Sequence, residues 1–476
     1  MEKVKTKYTL FTAKALIFLI VPIIIESALN MSLGFFDGLM VSNVEGVAGD
    51  APLTAVNYVD QISNLIIQLF SAFGVGGAVI TSQFLGANKV DEANKSAKQL
   101  IVIMVLASLF LTVFGLIFNH QIINLFFGEL DEVTLNFAYE YFYITVCSYP
   151  LLGVFYACAA LLRAQRKSLN TMTSAFFSFI LNIALNALFI YVFNLGVKGA
   201  AFGTLIARIF PPAFLLILLS KKDNLVRIKI FEKFKFSGSM VKTILRLAIP
   251  SGIENTFFQL GKIMVLSFIS IKCYNIVVNG LTLNFHSSAN SVAMSINTLG
   301  CIVGNGINTS MLTVIGQAVG TGDENQVKHY MKKMLSISYV CNAMSVCLIW
   351  SLSPILINMY NVTEQASILA QKCLNWCFLA QLFTYPMSFG ASAMLKANSD
   401  VKFVMVVSIV SMITMRVGLC FILTTDLLSI QIGALGLWVG MIADWIVRGV
   451  SFGIRLLSGK WKYQSGLIKP QNQTTE

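Results

Sequence analysis

The stretch "VPIIIESALNMSLGFFDGLM", residues 21–40, is apolar enough to dissolve in lipid yet carries two carboxylates, Glu26 and Asp37. The apolar run around it, about residues 15–41, is long enough to cross the roughly 30 Å hydrocarbon layer as a helix rising about 1.5 Å per residue. Its opening also recurs. Pro22-Ile-Ile-Ile-Glu26 is answered by Pro250-Ser-Gly-Ile-Glu254, the same P-x3-E after 228 residues. A membrane span and a duplicated chain are therefore both announced by these twenty residues.

Outward from this run, apolar stretches of helical length follow near 55–80, 99–118, 138–162, 171–193, 197–219, 244–270, 281–315, 334–357, 373–394, 403–424 and 432–457. With the first they predict twelve spans. Of the 476 residues 56% are apolar and only 12% charged, with a mean hydropathy of +0.74, far from the charge content of a water-soluble domain. The stretches are too long for the roughly ten-residue alternating strands of an outer-membrane barrel, so helices are expected. Lys3, Lys5, Lys7 and Lys14 imitate the start of a secretory signal, but the following run is too long for one, and it is read as a retained first span. Nine cysteines lie mostly in apolar segments; Cys373 and Cys377 have metal-like spacing without a nearby histidine and read as packed hydrophobes.

The basic stretch from Lys221 to Arg246 divides the spans into two sets of six. The halves match in order. "SQFLGAN" (82–88) parallels "GQAVGTG" (316–322), Tyr149-Pro150 parallels Tyr385-Pro386, Arg163 parallels Lys396, and Gly199-x3-Gly203 parallels Gly436-x3-Gly440. Six spans return the chain to the same side, so the repeats are parallel about an axis along the membrane normal. The expected organisation is an amino-terminal lobe (1–220), a cytoplasmic basic linker (221–246) and a carboxy-terminal lobe with its tail (247–476). The fold class is an all-α polytopic membrane protein with two pseudo-symmetric six-helix bundles around a central cavity, an arrangement suited to alternating access.

Charge supplies an orientation. With twelve spans, 28 of the 34 Lys and Arg residues fall on one side and only Lys198, Lys272 and Lys372 on the other. The positive-inside rule then puts both termini in the cytoplasm, and lipid headgroups account for the net charge of +12 without a nucleic-acid partner.

A charge inside the bilayer costs roughly 2.5–3.5 kcal/mol on insertion scales, which makes each one a functional candidate. The interior acids are Glu26, Asp37, Glu254 and Asp444, with Asp60 nearer a boundary; the interior bases are Arg208, Lys262 and Arg416. Glu26 and Asp37 are eleven residues apart, close to three full turns, so they share a helix face with Asn30 between them. In the fifth span Ser178, Asn182 and Asn186 repeat every fourth residue, a second polar stripe able to meet the first and hydrogen-bond Asp37. Arg416 with Asp444, and Lys262 with Glu254, suggest neutralising pairs. His286, among serines and asparagines, reads as a hydrogen-bonded residue.

These residues resemble the multidrug and toxic-compound extrusion (MATE) family of secondary transporters over nearly the whole chain. The resemblance is carried by P-x3-E…FFDGLMVS, "GVGGAVITSQFLGANKVDEANK", "ALLRAQRKS", "LNIALNALFI" and "LGVKGAAFGT" in the first half. In the second it is carried by "IPSGIENTFFQLGK", "GQAVGTGDENQVK" and "MRVGLCFIL". It implies an antiporter that exchanges H+ or Na+ for bulky, often cationic drugs, with Asp37 as the coupling residue and the fifth-span asparagines as its partners. Proton-coupled members with N-x3-D-P in the fifth span carry an acid where this chain has Asn186, followed by Ala187. Sodium-coupled members tend to use acids in spans seven and ten; here span seven offers Glu254, while Cys373 to Met394 hold none. The resemblance leaves H+ and Na+ both open, with Na+ near Asp37 or Glu254.

The expected protein is thus a multi-pass inner- or plasma-membrane antiporter. It has no cofactor beyond the coupling ion, small xenobiotic molecules as substrates, the lipid bilayer as its surroundings and a monomeric state. There is no G-x4-G-K-[ST] loop for ATP. The absence of H-E-x2-H and G-x-S-x-G, with histidines only at 120, 286 and 329, argues against a membrane enzyme. A flippase for lipid-linked precursors shares the architecture and would use Arg208, Lys262 and Arg416 to hold a pyrophosphate.

Overall fold

A computed structural model describes residues 10–42, 51–127, 131–228, 235–272, 276–278, 281–283, 285–360, 362–424, 433–462 and 464–467. Lys3, Lys5 and Lys7 of the amino end and Lys229 and Lys233 of the linker lie outside these residues. Twelve long helical segments run through the described residues. The first six are Ala13–Ser42, Ala51–Gly86, Val90–Ile117, the bent pair Glu132–Val146 and Tyr149–Ala164, Ser168–Val192, and Gly196–Ser220. The second six are Gly238–Lys272, Phe285–Gly320, Glu324–Asn358, the run from Glu364–Tyr385 through Pro386–Gly390 to Ala391–Ala397, Val401–Thr424, and Ala434–Leu457. Numbered one to twelve in this order, each overlaps an apolar stretch expected from the sequence. The fold is an all-α polytopic membrane protein. Among the described residues the β structure is a hairpin of two antiparallel strands, Ile276–Val278 and Leu281–Leu283, ahead of span eight.

The chain packs as two compact units, Phe11–Gly252 and Ile253–Glu476, divided within span seven. Each unit exposes large apolar side chains in rows, such as Leu106, Phe110, Val113 and Ile117 of span three and Val340, Met344 and Leu348 of span nine. Such rows at helical spacing suit lipid, where all backbone polar groups must be satisfied inside the helix.

Backbone conformation carries the repeat as clearly as the sequence does. Asn88 (φ 57°) and Gly322 (φ 74°) close the two Q-x2-G segments. Arg166 (φ 64°) and Ser399 (φ 67°) follow spans four and ten, and Gly196 (φ 54°) and Gly433 (φ 55°) open spans six and twelve. Left-handed backbone is uncommon outside glycine, so matched occurrences at Arg166 and Ser399 mark one turn used twice.

Proline in a helix leaves the carbonyl four residues earlier without its donor. In span one the orphan of Pro22 is Phe18 O, and the Ser168 hydroxyl from the start of span five lies 3.1 Å from it and 2.9 Å from Leu19 O. In span nine the Ser353 hydroxyl donates to Trp350 O, the carbonyl that Pro354 cannot serve, at 2.8 Å. Both helices therefore continue past their prolines.

The two G-x3-G segments also play matching parts. Spans five and eleven contain π-helical turns, Leu188–Val192 and Met412–Leu419, which widen the helix. A Cβ at Gly199 would lie 2.8 Å from the Phe189 backbone, and one at Gly440 would lie 3.1 Å from Met415 O and 3.2 Å from Arg416 O. Glycine lets the sixth helix of each unit touch the backbone of the fifth where that backbone is irregular.

Candidate functional site

Each unit has a buried polar cluster anchored by the acid of its P-x3-E segment. In the first unit Glu26, only 2% exposed, accepts from Arg163 Nη2 at 2.6 Å and from the Thr171 hydroxyl at 2.7 Å. In the second, Glu254 meets Lys396 Nζ at 2.8 Å and accepts from the Ser408 hydroxyl at 3.0 Å. Arg163 and Lys396 occupy matching repeat positions, so one acid–base pair is built twice. The desolvation of two such ions is several kcal/mol each and is offset only when the pair is close and hydrogen-bonded, as here. Counting Arg163 and Lys396 with the cytoplasmic loop charges overlooks this role; their matched repeat positions were the available signal.

Span one lies along span five, and its two acids meet that helix at opposite ends. Glu26 reaches Thr171 in its first turn. Asp37, 7% exposed, accepts from Asn186 Nδ2 at 2.6 Å near its end. The asparagine stripe is continuous: Asn186 Nδ2 lies 3.4 Å from Asn182 Oδ1, and Asn182 Nδ2 donates to the Thr204 hydroxyl in span six at 3.2 Å. Asn30 lies on the same stripe of span one but is exposed, and among the described residues no hydrogen bond joins it to either cluster.

Two charged residues complete the first-unit cluster. Asp60, half-buried in span two, is close enough for its charge to act with that of Asp37, and the Arg208 charge acts on both. Arg208 sits at the break between Gly196–Ala207 and Phe210–Ser220, where its Nη1 donates to Ser148 Oγ at 2.6 Å, itself at the bend of span four. Two helix breaks thus place one guanidinium where its charge acts on two carboxylates, while the hydrogen bond from Asn186 to Asp37 comes from a neutral amide. Asn186 Oδ1 is buried without a donor among the described residues. Asp37, Asn182, Asn186 and Thr204 together supply hard oxygen atoms of the kind that bind a small cation.

The position of Asn186 depends on Gly203, where a Cβ would overlap the Asn186 side-chain oxygen and come within 2.9 Å of its backbone nitrogen. Gly203→Ala is expected to destabilise the folded protein by about 1–3 kcal/mol through overpacking, measured as a lower unfolding midpoint in detergent.

The second-unit cluster differs from expectation. Lys262 does not pair with Glu254; eight residues of helix separate them by about 12 Å along the axis. Instead, Lys262 stands over the Phe258 ring at 5.0 Å, and Arg448, counted from sequence among the flanking charges, is 3% exposed and lies 3.9 Å from both Glu254 and Asp444. Arg416 does approach Asp444, but only at 3.9 Å, and Asp444 Oδ1 is held by the Ser411 hydroxyl at 2.7 Å. His286 accepts from the Ala434 backbone N–H at 3.3 Å, and Cys373 and Cys377 are buried in the hydrophobic core of this unit.

Comparison with known proteins agrees with this architecture. The MatE family profile matches residues 22–188 and 263–422, covering one stretch of each repeat. The chain belongs to the MatE family. This MatE chain is 26% identical to the uncharacterized transporter YisQ of Bacillus subtilis (strain 168), over 92% of its own length and 93% of the relative's. It is 23% identical to a probable multidrug resistance protein NorM of Thermotoga maritima, over 96% and 94%. Among solved structures, a MATE protein in the bent conformation superposes with a TM-score of 0.83 at 21% identity, covering 95% of this chain and 97% of that one. An outward-facing multidrug resistance MATE family transporter of the MOP superfamily matches equally well, with a TM-score of 0.83 at 21% identity over 96% and 97%. At that identity the structural likeness establishes the MatE fold: twelve transmembrane helices in two six-helix lobes.

Proposed function

We propose that this protein is a secondary active antiporter of the plasma membrane that exports bulky, often cationic organic compounds in exchange for H+ or Na+ by alternating access. It works as a monomer with both termini in the cytoplasm. The observation that carries the reading is the Asp37 carboxylate, buried in the first unit and hydrogen-bonded by Asn186 while Arg208 is engaged by Ser148. A carboxylate held by an amide can exchange a proton, a sodium ion or a cationic compound; one locked to a guanidinium cannot do so cheaply. Curated relatives described as multidrug resistance and multidrug export proteins support the substrate class.

Asp37, when ionised, binds cation or cationic substrate, and when protonated it releases the compound outward. If sodium is the coupling ion, the carboxylate and the oxygens of Asn182, Asn186 and Thr204 receive it. One elementary charge crossing 100 mV supplies about 2.3 kcal/mol, enough for a concentration ratio of tens per cycle. The test is export of a cationic fluorescent dye from proteoliposomes given a proton gradient or a sodium gradient separately. Export under one of them and none under dissipated gradients is expected; gradient-independent export, or none under either, removes the antiport reading.

A further inference from the structure

The helices of the second unit carry four cations, Lys262, Lys396, Arg416 and Arg448, around two carboxylates, Glu254 and Asp444. Lys396 belongs to the Glu254 pair, whose counterpart in the first unit is Arg163 with Glu26. Of the other three, Lys262 makes no ion pair among the described residues, and Arg448 reaches Glu254 only at 3.9 Å. Arg416 and Arg448 reach Asp444 Oδ2 only at 3.9 Å, beyond hydrogen-bond distance, while Ser411 occupies Oδ1.

The same three cations surround one aromatic ring. The Lys262 ammonium and the Arg416 and Arg448 guanidinium carbons stand 5.0, 5.0 and 5.6 Å from the Phe258 centroid, and Arg448 is also 4.8 Å from that of Phe389. Attraction to a ring face does not satisfy N–H groups at the edge of a guanidinium, and the like charges repel across the ring. Arg416 Nε, Arg448 Nε and Nη1, and Trp445 Nε1 are accordingly buried donors without an acceptor among the described residues, and Asp444 Oδ2 is an orphan acceptor beside them. Arg416 and Arg448 are each 3% exposed, so bulk water does not serve these donors, whereas Lys262 is exposed and marks an approach.

The surroundings specify more than a charge. Phe389 packs against Phe258 at 6.4 Å, Tyr385 at 4.6 Å and Trp445 at 5.9 Å, so the unpaired donors lie within a wall of aromatic rings. We propose that this cluster is a binding site for an organic anion, a carboxylate carried on an aromatic body, received by Lys262, Arg416 and Arg448 with its ring against Phe258 and Phe389. A carboxylate offers the paired oxygens that match a guanidinium edge. The site extends the cargo of the proposed exporter to zwitterionic and acidic aromatic compounds, and to that extent it rests on the export reading.

The experiment is equilibrium binding of radiolabelled benzoate to the purified full-length protein in detergent, with benzamide and inorganic pyrophosphate as competitors. Saturable binding is expected, displaced by unlabelled benzoate but not by the neutral benzamide, and weakened about tenfold by Lys262→Gln and by Arg416→Gln. Lys262 is exposed and holds no carboxylate, so its variant tests the site even if Arg416→Gln does not fold. Absence of saturable binding, equal competition by benzamide, or unchanged binding in Lys262→Gln overturns the proposal. Tighter displacement by pyrophosphate than by benzoate also overturns it in favour of a diphosphate site. Because binding needs no gradient, failed dye export with intact benzoate binding rejects antiport alone, and the reverse rejects this site alone.

Discussion

Asp37→Asn is expected to reduce gradient-driven export at least tenfold, to the level of liposomes without protein, while the chain still inserts and folds. Asparagine keeps the size of the side chain and one oxygen facing Asn186, so packing in span one is preserved. It removes the negative charge and the site of protonation, the two states between which transport would alternate. Expression, thermal unfolding in detergent and dye export measured side by side decide the matter. Undiminished gradient-dependent export in the variant rejects Asp37 as the coupling residue. Asp60 is then the next residue to test, since its charge acts in the same cluster.

Arg163→Ala carries the largest expected loss of stability, about 3–5 kcal/mol, because it leaves the Glu26 carboxylate buried with only the Thr171 hydroxyl as its strong donor. Adding Glu26→Gln to the same chain removes the stranded charge and is expected to return most of the loss. Lys396→Ala in the second unit is expected to cost less, since Arg448 already lies 3.9 Å from Glu254 and can move toward it. Unfolding midpoints of the three variants in one detergent test the set. A loss below about 1 kcal/mol in Arg163→Ala means the pair is not what holds Glu26 in the helix bundle.

Much of this arrangement was legible from residue order. The P-x3-E repeat put Glu26 and Glu254 in equivalent places, and the four-residue spacing of Asn182 and Asn186 put them on one face of span five, where Asn186 meets Asp37. Spacing along a helix is enough for such statements, because 3.6 residues per turn assigns a face without knowledge of the neighbours. It was not enough for Lys262. The residue two turns beyond Glu254 looked like its partner, yet the base that reaches Glu254 comes from another helix, 142 positions away. Arg448 likewise looked like a flanking charge, since its nearest neighbours in sequence say nothing about the carboxylates packed against it.

The order of apolar and polar residues by itself determined that the chain crosses a membrane twelve times and does so as two copies of one six-span pattern. Hydrocarbon imposes those rules locally: each span must be long, apolar and internally hydrogen-bonded, and each repeated turn must carry residues that tolerate its backbone. Only the tertiary structure decided which charges neutralise one another and which stay available. In low dielectric that choice depends on separations of one or two ångströms between side chains from different helices, a distance that no pattern along one helix encodes.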